Sequence, residues 1–600
     1  MQIFRRNAVT TALLFSLAIS SRPLFAAQKA IVQDRTPSTQ TVSFDIFLPL
    51  QNRDQIEPLL ADLHNSASPN YQQWLTPAQF QARFGASDAQ VAAIVAELAA
   101  QHLTAIRTST YGIQVTGAAA DIERTFKTTL SNATFPGGKF TVVATQPITL
   151  SPALAQVNAA VAGLSGAIYM RPHSQKAALP ANRYSSTGGY FFDDLKQAYS
   201  YPSYQSLTGK GVTIGILMSG DFNQPDMTKY FAHEKLASPN FSTVQVDGGA
   251  PYDPSGSFET HLDLQQSGGM APNAHVILYN LPDLSDASIL DGLARILSDN
   301  KADVVSMSFG GPELYYTAAF NGGTDFTYLM QEEDDMMAQG NAQGITFVAS
   351  SGDAGALSAV PFVCFNYDPN CGSVLPSAEF PASSPHVTGV GGTNLVTTYT
   401  GLTGDLNSQY VRESAFADPL AEDIFYGTSA TGSYWGSGGG NSIVFKKPLF
   451  QALTNTGSTK FRTVPDLALH MGGCPEGAIY SECGADDSFD YLVIDNYYYG
   501  VIGTSASAPD FAGLTALTVQ RYGTRLGNVN YYAYLLAAAQ NFGPVPLVFH
   551  NDIPGFNGLY YSGQTPGYNR VLGLGTLDGK DFLLSPFVPS AGIPQTPSNP

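Results

Sequence analysis

Positive charge is scarce in this 600-residue chain, which carries 29 lysines and arginines against 48 aspartates and glutamates. The formal net charge is −19 at pH 7, and only 13% of the residues are charged. A surface of this sign repels polyanions, which argues against nucleic acid or an anionic membrane as a partner. The composition is compatible with acidic surroundings but does not establish them.

Long apolar runs are absent after residue 26, so the sequence predicts no membrane-spanning segment. Residues 1–26 are typical of a secretory signal peptide. Arg5 and Arg6 are followed by the apolar stretch 8–19, and Ala26 ends a small-residue cleavage site. We therefore expect a soluble, secreted protein, either extracellular or periplasmic.

Cysteine is also rare, with four residues that form two close pairs, Cys364/Cys371 and Cys474/Cys483. In an exported protein such pairs favour two disulfides that staple loops. A zinc site is the alternative, and the lack of Cys-x-x-Cys spacing and of nearby histidines argues against it.

The chain is long enough for two or three units. The first, roughly 30–170, has the pattern of an α+β domain, with strands predicted over 41–50, 105–116 and 140–150 and a helix over 120–130. Further helices are predicted over 53–64 and from Thr76-Pro77 and Ser87 onwards. This unit lacks a cluster of chemistry-bearing side chains. The polar stretch 171–189 that follows it is predicted to be an exposed linker, suited to cleavage.

Short apolar strands alternate with helical stretches after the linker. Strands are predicted over 212–217, 275–279, 304–307, 345–349 and 386–390, and helices over 285–298 and 325–343. Continuous β-branched runs of this kind indicate a parallel sheet covered on both faces. Ligands bind such sheets beyond the carboxyl ends of the strands.

A small-residue turn at 503–509, Gly-Thr-Ser-Ala-Ser-Ala-Pro, opens into the apolar run 511–519. Gly503 permits close backbone approach, and Pro509 suits the first turn of a helix. Ser505 is then expected at a helix N-terminus, where amides and the helix dipole favour a developing anion. Acyl-transfer enzymes present a serine nucleophile in this way. An N-cap serine before an ordinary buried helix is the alternative.

Glu259 and Asp263 are four residues apart in a predicted helix, so both carboxylates project from one face. Like charges at this spacing destabilise a helix unless they share a proton or are otherwise compensated. Such a pair can hold Glu259 as a general base that Asp263 orients, whereas two solvated acids on an exposed helix are the alternative. His261 projects from a different part of the helix and is interpreted as a surface or packing residue.

Asp353 follows a predicted strand through a turn of small residues and is expected in the crevice beyond the strand end. A carboxyl group there donates to an oxyanion only when protonated, which requires a raised pKa or an acidic medium. An ordinary turn aspartate is the alternative.

Together these residues resemble the sedolisin family of serine-carboxyl peptidases, the kumamolisin-like enzymes. The serine string is typical of the wider subtilisin-like clan, but no histidine here is followed by Gly-Thr, and Met218 stands where that clan has an aspartate. Other matching motifs follow in order along the chain, at 64–71, 75–77, 84–85, 304–310, 350–353, 380–385, 390–393, 437–440 and 462–466.

The resemblance implies a subtilisin-like α/β catalytic domain over 190–600, with a mostly parallel sheet flanked by helices. It implies an α+β, ferredoxin-like activation prodomain over 27–172 and a linker with the processing site over 173–189. It further implies that Ser505 is the nucleophile and Glu259 the base, with Asp263 as its partner and Asp353 as the oxyanion-hole acid.

Departures from the family pattern concern the ends of the network and a metal site. Met218 and Phe309 replace a glutamate and a tryptophan that extend the acid network in some relatives, so we expect the relay to end at Asp263. The resemblance also implies one structural calcium ion. Its ligands would be side-chain oxygens of Asp552 and Asn569 and carbonyls of Ile553, Thr565 and Gly567. Asn569 replaces an aspartate and should weaken the site; a metal-free loop is the alternative.

The sequence therefore predicts a secreted, monomeric serine-carboxyl peptidase that hydrolyses proteins or peptides at acidic pH. We expect it to be a self-processing zymogen inhibited by its own prodomain. Two alternatives stay open, a non-catalytic binding protein with the sedolisin fold and a subtilisin-type peptidase with a histidine base. Cleavage-site preference and the choice between endopeptidase and tripeptidyl-peptidase action are left open too.

Overall fold

The computed structural model describes residues 28–135, 139–177, 189–204, 206–359, 374–400, 407–419, 434–473, 488–542, 547–564 and 567–584. The predicted signal peptide and both predicted cysteine pairs lie outside these residues, so they stay predictions. Among the helices that the structure describes, none combines the length and the apolar character that crossing a bilayer requires.

The N-terminal unit is an α+β domain, as predicted. Its main sheet is antiparallel, in the strand order Thr104–Arg107, Gly112–Ala118, Thr41–Phe47 and Ala160–Ala162. A second antiparallel sheet contains Ile31–Arg35, Leu130–Thr134 and Phe140–Ala144, and Gln28–Lys29 pairs with Ala167–Ile168. The helices are Ile56–His64, Pro77–Phe84, Asp88–Ala99, Ala119–Phe126 and Pro152–Gln156, with a 3-10 turn at Arg53–Gln55.

Two capping boxes open helices of this unit where the sequence predicts them. The side chains of Thr76 and Ser87 accept from the backbone N–H groups of Gln79 and Gln90, whose side chains accept from the cap N–H groups in return. A serine or threonine cap stabilises a helix by about 1 kcal/mol.

Three predicted elements of this unit are wrong in extent. The strand predicted over 105–116 is a hairpin, because the chain turns where Thr108 donates to the Gly112 carbonyl. The helix predicted over 120–130 ends at Phe126, where Lys127 takes a left-handed conformation with φ 50°. The strand predicted over 140–150 ends at Ala144.

The second unit is built on a large central sheet that is mostly parallel, which confirms the predicted fold class. Its strand order is Asn240–Gln245, His275–Leu281, Thr213–Ser219, Val304–Met307, Thr346–Ser350, Val387–Thr400, Leu467–His470, Thr576–Leu577 and Phe549–His550. The last strand is antiparallel, and Asn407–Ala415 pairs antiparallel with Val387–Thr400. Val304–Met307 and Thr346–Ser350 are buried throughout, as expected for strands covered on both faces.

Helices cover both faces of this sheet. They are Phe192–Ala198, Gln224–His233, Phe258–Met270, Asp286–Asp299, Thr327–Ala342, Thr504–Tyr522, Asn530–Phe542 and Gly579–Leu584, with 3-10 turns at Glu313–Tyr316 and Leu449–Gln451. Small antiparallel pairs lie around them: Ala417–Pro419 with Tyr434–Gly436, Gly440–Lys446 with Phe461–Val464, Asp490–Ile494 with Tyr497–Ile502, and Gly555–Phe556 with Tyr561–Ser562. Phe309–Pro312 pairs with Glu379–Phe380.

The N-terminal unit has a core of its own and docks through a second apolar face. Phe44 and Ile94 belong to the separate core, whereas Leu60, Phe80 and Phe84 belong to the core of the second unit. Polar contacts reinforce the docking, including an ion contact of 2.9 Å between Glu57 and His386. The two units therefore pack as one body in the precursor.

Candidate active site

Ser505 lies in the first turn of the helix Thr504–Tyr522, which we call the serine helix. Gly503 precedes it with φ 132°, a conformation that favours glycine, so the predicted close-approach turn is present. Pro509 is in the second turn rather than the first, which corrects the sequence interpretation. Ser505 is fully buried, and its Oγ donates to the Ser308 carbonyl at 3.2 Å.

Glu259 and Asp263 lie in the helix Phe258–Met270, which we call the glutamate helix and which packs against the serine helix. Both are buried, so the exposed-helix alternative is wrong. Burial raises the pKa of Glu259 to about 7, while the hydrogen bond from Ser174 and the nearby Ser505 hydroxyl oppose the increase. Burial and the neighbouring Glu259 charge raise the pKa of Asp263 well above its usual range, and a 2.5 Å hydrogen bond from Ser308 opposes this.

Burial and mutual repulsion both disfavour two negative charges on this carboxyl pair, so the pair favours holding a proton. Glu259 Oε1 and Asp263 Oδ2 are both buried without a hydrogen-bond partner among the residues that the structure describes. These free oxygens are what a shared proton needs. Glu259 Oε2 accepts a short hydrogen bond from the Ser174 hydroxyl.

Asp353 follows the strand Thr346–Ser350 and lies beside Gly503. Its Oδ1 accepts from the backbone N–H and from the hydroxyl of Thr504, both at 2.8 Å. Its Oδ2 is buried and has no partner among the described residues. Burial raises the pKa of Asp353 well above its usual range, the Thr504 bonds oppose this, and the charges of Glu379 and Glu259 add to the increase. These effects favour the protonated form, in which Oδ2 is a donor.

Residues 171–177 run through the cleft in an extended conformation, antiparallel to strands on both sides of Ser505. Arg171–Pro172 pairs with Phe309–Pro312, and Gln175–Lys176 pairs with Tyr497–Ile502. Between these two ladders, His173 donates its backbone N–H to the Ser308 carbonyl at 3.2 Å. Strand addition of this kind is how extended peptides bind to a sheet edge.

The carbonyl of His173 points at the serine helix N-terminus. Ser505 donates its backbone N–H to the His173 oxygen at 3.1 Å. A Cβ placed on Gly503 would lie 2.2 Å from that oxygen and 2.7 Å from Asp353 Oδ2, so the glycine leaves room for both. One amide thus donates to the His173 oxygen, and Asp353 Oδ2 lies near the same glycine. Donors placed in this way are what an oxyanion site needs.

The imidazole of His173 fills a buried pocket beside this site. Its Nε2 lies 2.7 Å from Glu379 Oε2, and its Nδ1 is 2.7 Å from the Ser350 hydroxyl. A Cβ on Gly310 would be 2.5 Å from the imidazole, so glycine is needed there. Burial acts to raise the pKa of Glu379, but the charges of His173 and Arg171 outweigh it and lower the pKa overall.

Comparisons with known proteins point to one family. Residues 28–166 match the model described as "Pro-kumamolisin, activation domain", and residues 236–575 match the subtilase family. Kumamolisin from Bacillus sp. (strain MN-32) is 28% identical over 593 residues, which cover 95% of this chain and 96% of that protein. The chain belongs to the subtilase family as a sedolisin-family precursor.

Two further similarities support this assignment. Sedolisin from Pseudomonas sp. (strain 101) is 27% identical over 565 residues, 90% of this chain and 86% of that protein. A solved structure of Pseudomonas sedolisin, a serine-carboxyl proteinase with two molecules of pseudo-iodotyrostatin, aligns with a TM-score of 0.52 at 27% identity. It covers 66% of this chain and 97% of that one. This sedolisin-family member is therefore a serine-type peptidase, made as a zymogen with an activation prodomain.

His261 of this peptidase is fully buried, not at the surface. Its Nδ1 is 2.9 Å from the Ser257 carbonyl, and its Nε2 is 3.5 Å from Asp226. Burial lowers the pKa of His261, while these contacts act to raise it. Both ring nitrogens of His261 thus face Ser257 and Asp226, so His261 is a packing residue.

The residues predicted to bind calcium fit the ion poorly. Asn569 Oδ1 already accepts from the backbone N–H groups of Val571 and Leu572, at 3.0 and 2.8 Å, so this oxygen holds its own loop. The other three predicted ligands are backbone carbonyls. Of these residues, Ile553 is buried and Gly567 has φ 112°, while Thr565 lies outside the described residues. In the described part of the chain, no three acidic, histidine or cysteine side chains form a metal cluster. Asp552 is thus the one predicted side-chain oxygen left for the ion, and calcium stays a prediction.

Sequence reasoning missed the residues that the linker brings to the site. The sequence predictions give no role to Arg171, His173 and Ser174, which lie in or beside the predicted cleavage stretch, or to Glu379. A basic residue pair at the start of that stretch, Arg171 and His173, was the available signal.

Proposed function

We propose that this serine-carboxyl peptidase is a secreted endopeptidase that releases itself from its prodomain by hydrolysing the His173–Ser174 bond. One observation carries the proposal. The His173 carbonyl oxygen accepts a hydrogen bond from the backbone N–H of Ser505. The carbonyl carbon of His173 therefore lies close to the residue that carries the nucleophile. The bond lies within the predicted linker, 173–189.

In the first step, Ser505 Oγ attacks the His173 carbonyl carbon and transfers its proton to Glu259. Ser505 must first leave its hydrogen bond with the Ser308 carbonyl, and Glu259 must release the Ser174 hydroxyl. The oxyanion receives hydrogen bonds from the Ser505 N–H and from the protonated Asp353 Oδ2. Asp263 keeps its proton and stabilises the ionised Glu259.

In the second step, Glu259 returns the proton to the nitrogen of Ser174 and the peptide bond breaks. The new N-terminus begins at Ser174, and His173 remains as an acyl ester on Ser505. Water then takes the place of the leaving peptide, gives its proton to Glu259 and hydrolyses the ester. The proton finally returns to Ser505, which restores the site.

Endopeptidase action rests on the length of chain that the cleft holds. The chain upstream of Arg171 continues through Met170 and Tyr169, both buried, and a Cβ on Gly311 would lie 2.4 Å from the Tyr169 carbonyl oxygen. A tripeptidyl-peptidase must close its cleft after the third residue before the cut. Here the path stays open beyond the third residue, Arg171.

Two alternatives explain the site less well. A subtilisin-type histidine base would have to be His261, whose ring nitrogens contact Ser257 and lie near Asp226 instead. A non-catalytic binding protein would not require a protonated carboxyl and an amide around one carbonyl oxygen.

The test uses three full-length precursors, the wild type, Ser505→Ala and Glu259→Gln, incubated between pH 3 and pH 7. We expect the wild type to yield a fragment beginning at Ser174, identified by N-terminal mass spectrometry. Both variants should slow this by several orders of magnitude while keeping wild-type circular dichroism. An unprocessed wild type, or a Ser505→Ala precursor cleaved at the wild-type rate in pure solution, would contradict the proposal.

A further inference from the structure

The ammonium group of Lys176 lies over two aromatic rings at the downstream end of the cleft. Its Nζ is 4.7 Å from the centre of the Tyr499 ring and 5.8 Å from that of Phe258. If His173–Ser174 is the scissile bond, Lys176 is the third residue after it. The backbone fixes this register, because Lys176 pairs with Val501 and Ala177 donates to the Gly500 carbonyl at 2.9 Å.

The two rings are held by the elements that carry the catalytic groups. Phe258 is the residue before Glu259, and Tyr499 lies two residues before Val501 on the strand that binds the linker. The ring centres are 6.4 Å apart and the planes cross at 72°. Both rings pack against a small buried cluster of residues from the glutamate helix, the Asp490–Ile494 hairpin and the serine helix: Leu262, Leu492, Ile494, Val501 and Ala506.

A pair of rings in this arrangement recognises positive charge. The electron-rich ring faces attract a cation within about 6 Å, and both distances here satisfy this limit. A neutral polar side chain of similar length would gain only contact area, and an acidic one would be repelled. Since Lys176 is exposed, its ammonium keeps part of its hydration while it contacts the rings.

We propose that Phe258 and Tyr499 form a subsite that selects a lysine or arginine three residues after the scissile bond of a substrate protein. The inference rests on the proposed function for its register. It assigns the enzyme a preference on the leaving-peptide side, which the pocket of His173 does not determine.

The test measures kcat/KM of the processed enzyme for two internally quenched peptides. They share the sequence around His173–Ser174 and carry either Lys or Gln at the third position after the cut. We expect a Lys-over-Gln ratio of about fivefold in the wild type, since an exposed cation–π contact contributes about 1 kcal/mol. The ratio should fall to about one in Tyr499→Leu and be retained in Tyr499→Phe.

The Lys-over-Gln ratio compares two peptides cleaved by the same enzyme. A general loss of activity or stability in a variant lowers both kcat/KM values equally and leaves the ratio unchanged. A wild-type ratio near one, or a Tyr499→Leu ratio equal to that of the wild type, would overturn the subsite while leaving the proposed function intact. A wild-type enzyme that cleaves neither peptide would overturn the proposed function, and the subsite with it.

Discussion

Two buried aspartates that the catalytic proposal does not use provide a test of how the stability of this protein depends on pH. Asp490 and Asp510 are at most 1% exposed, and none of their four carboxyl oxygens has a hydrogen-bond partner among the described residues. Burial raises the pKa of Asp510 well above its usual range, and that of Asp490 likewise, with repulsion from Asp510 and Asp194 added. The nearby His470 has its pKa lowered to about 3 by burial, so it supplies no positive charge at working pH.

A raised carboxyl pKa makes stability greatest in acid. Below the unfolded pKa, about 3.9, both states hold the proton and the group adds no pH dependence. Above it the unfolded chain releases the proton while the folded protein retains it, so stability falls until the folded pKa is reached. Each such group costs about 1.4 kcal/mol per pH unit in that interval. Where both folded pKa values lie above this interval, the Asp490 and Asp510 pair costs about 5 kcal/mol between pH 4 and pH 6.

Replacing Asp510 by Asn removes one of these titrations at nearly constant volume. In a Ser505→Ala background, which prevents self-digestion, we expect the free energy of unfolding of the parent to fall steeply from pH 4 to pH 6. The free energy of unfolding of the Asp510→Asn variant should fall less steeply, with a slope smaller by at least about 1.4 kcal/mol per pH unit. The variant should therefore become the more stable protein as pH rises. Burying the amide changes stability by an amount that does not depend on pH, so it does not affect the slope of the free energy of unfolding against pH.

The assay is urea unfolding followed by circular dichroism at unit steps of pH. Asp88→Asn is the matched control, because it makes the same substitution at a side chain that is 98% exposed. Equal slopes in the parent and in Asp510→Asn would refute the reasoning, since the carboxyl would then be ionised or hydrated within the folded protein.

Three further predictions concern specificity, docking and the metal. Glu379→Gln should lower kcat/KM for peptides with His or Arg before the cut at least tenfold, with little effect when Gln stands there, because the buried carboxylate loses its charge. Burial acts to raise the pKa of Glu57, but His386 outweighs it and lowers the pKa, so this contact persists until the pH falls through that lowered value. Glu57→Gln should thus weaken retention of the cleaved prodomain about fivefold at pH 6 and less at pH 2, as size-exclusion chromatography would measure. Equal effects at both pH values would contradict this. Millimolar calcium should raise the melting temperature little in the wild type and more in Asn569→Asp; flat responses in both would remove calcium from the account.

Much of the fold could be predicted from local patterns. A capping box needs only four residues, and buried parallel strands are continuous apolar runs. The sequence therefore predicts the capping box at Ser87, the helix start at Thr76-Pro77 and the buried strands of the central sheet. The end of the helix 119–126 is not predictable in this way, because it depends on the left-handed conformation of Lys127. The strand from Leu130 is fixed by partners distant in sequence, which a local pattern does not contain.

The candidate site was predictable where a residue's neighbours in sequence fix its position. Glu259 and Asp263 share a helix face, and Asp353 follows a strand end, so their placement follows from periodicity. The linker was not predictable in this way. Its path depends on pairing with strands at 309–312 and 497–502, and His173 meets Glu379 across 206 residues.

The catalytic proposal places opposite demands on two carboxyl groups, since Glu259 must be ionised while Asp353 is protonated. Burial raises the pKa of both groups, so it moves the active interval to higher pH. The charges of Glu379 and Glu259 add to the increase at Asp353 and so act to keep the interval open. The linker contributes to this burial, so self-processing should lose activity on the acidic side at a higher pH than turnover by the emptied enzyme does. Asp353→Asn keeps a donor that does not ionise, so in any active variant the high-pH limb of kcat/KM should move upward. A limb that stays in place would show that another group sets it.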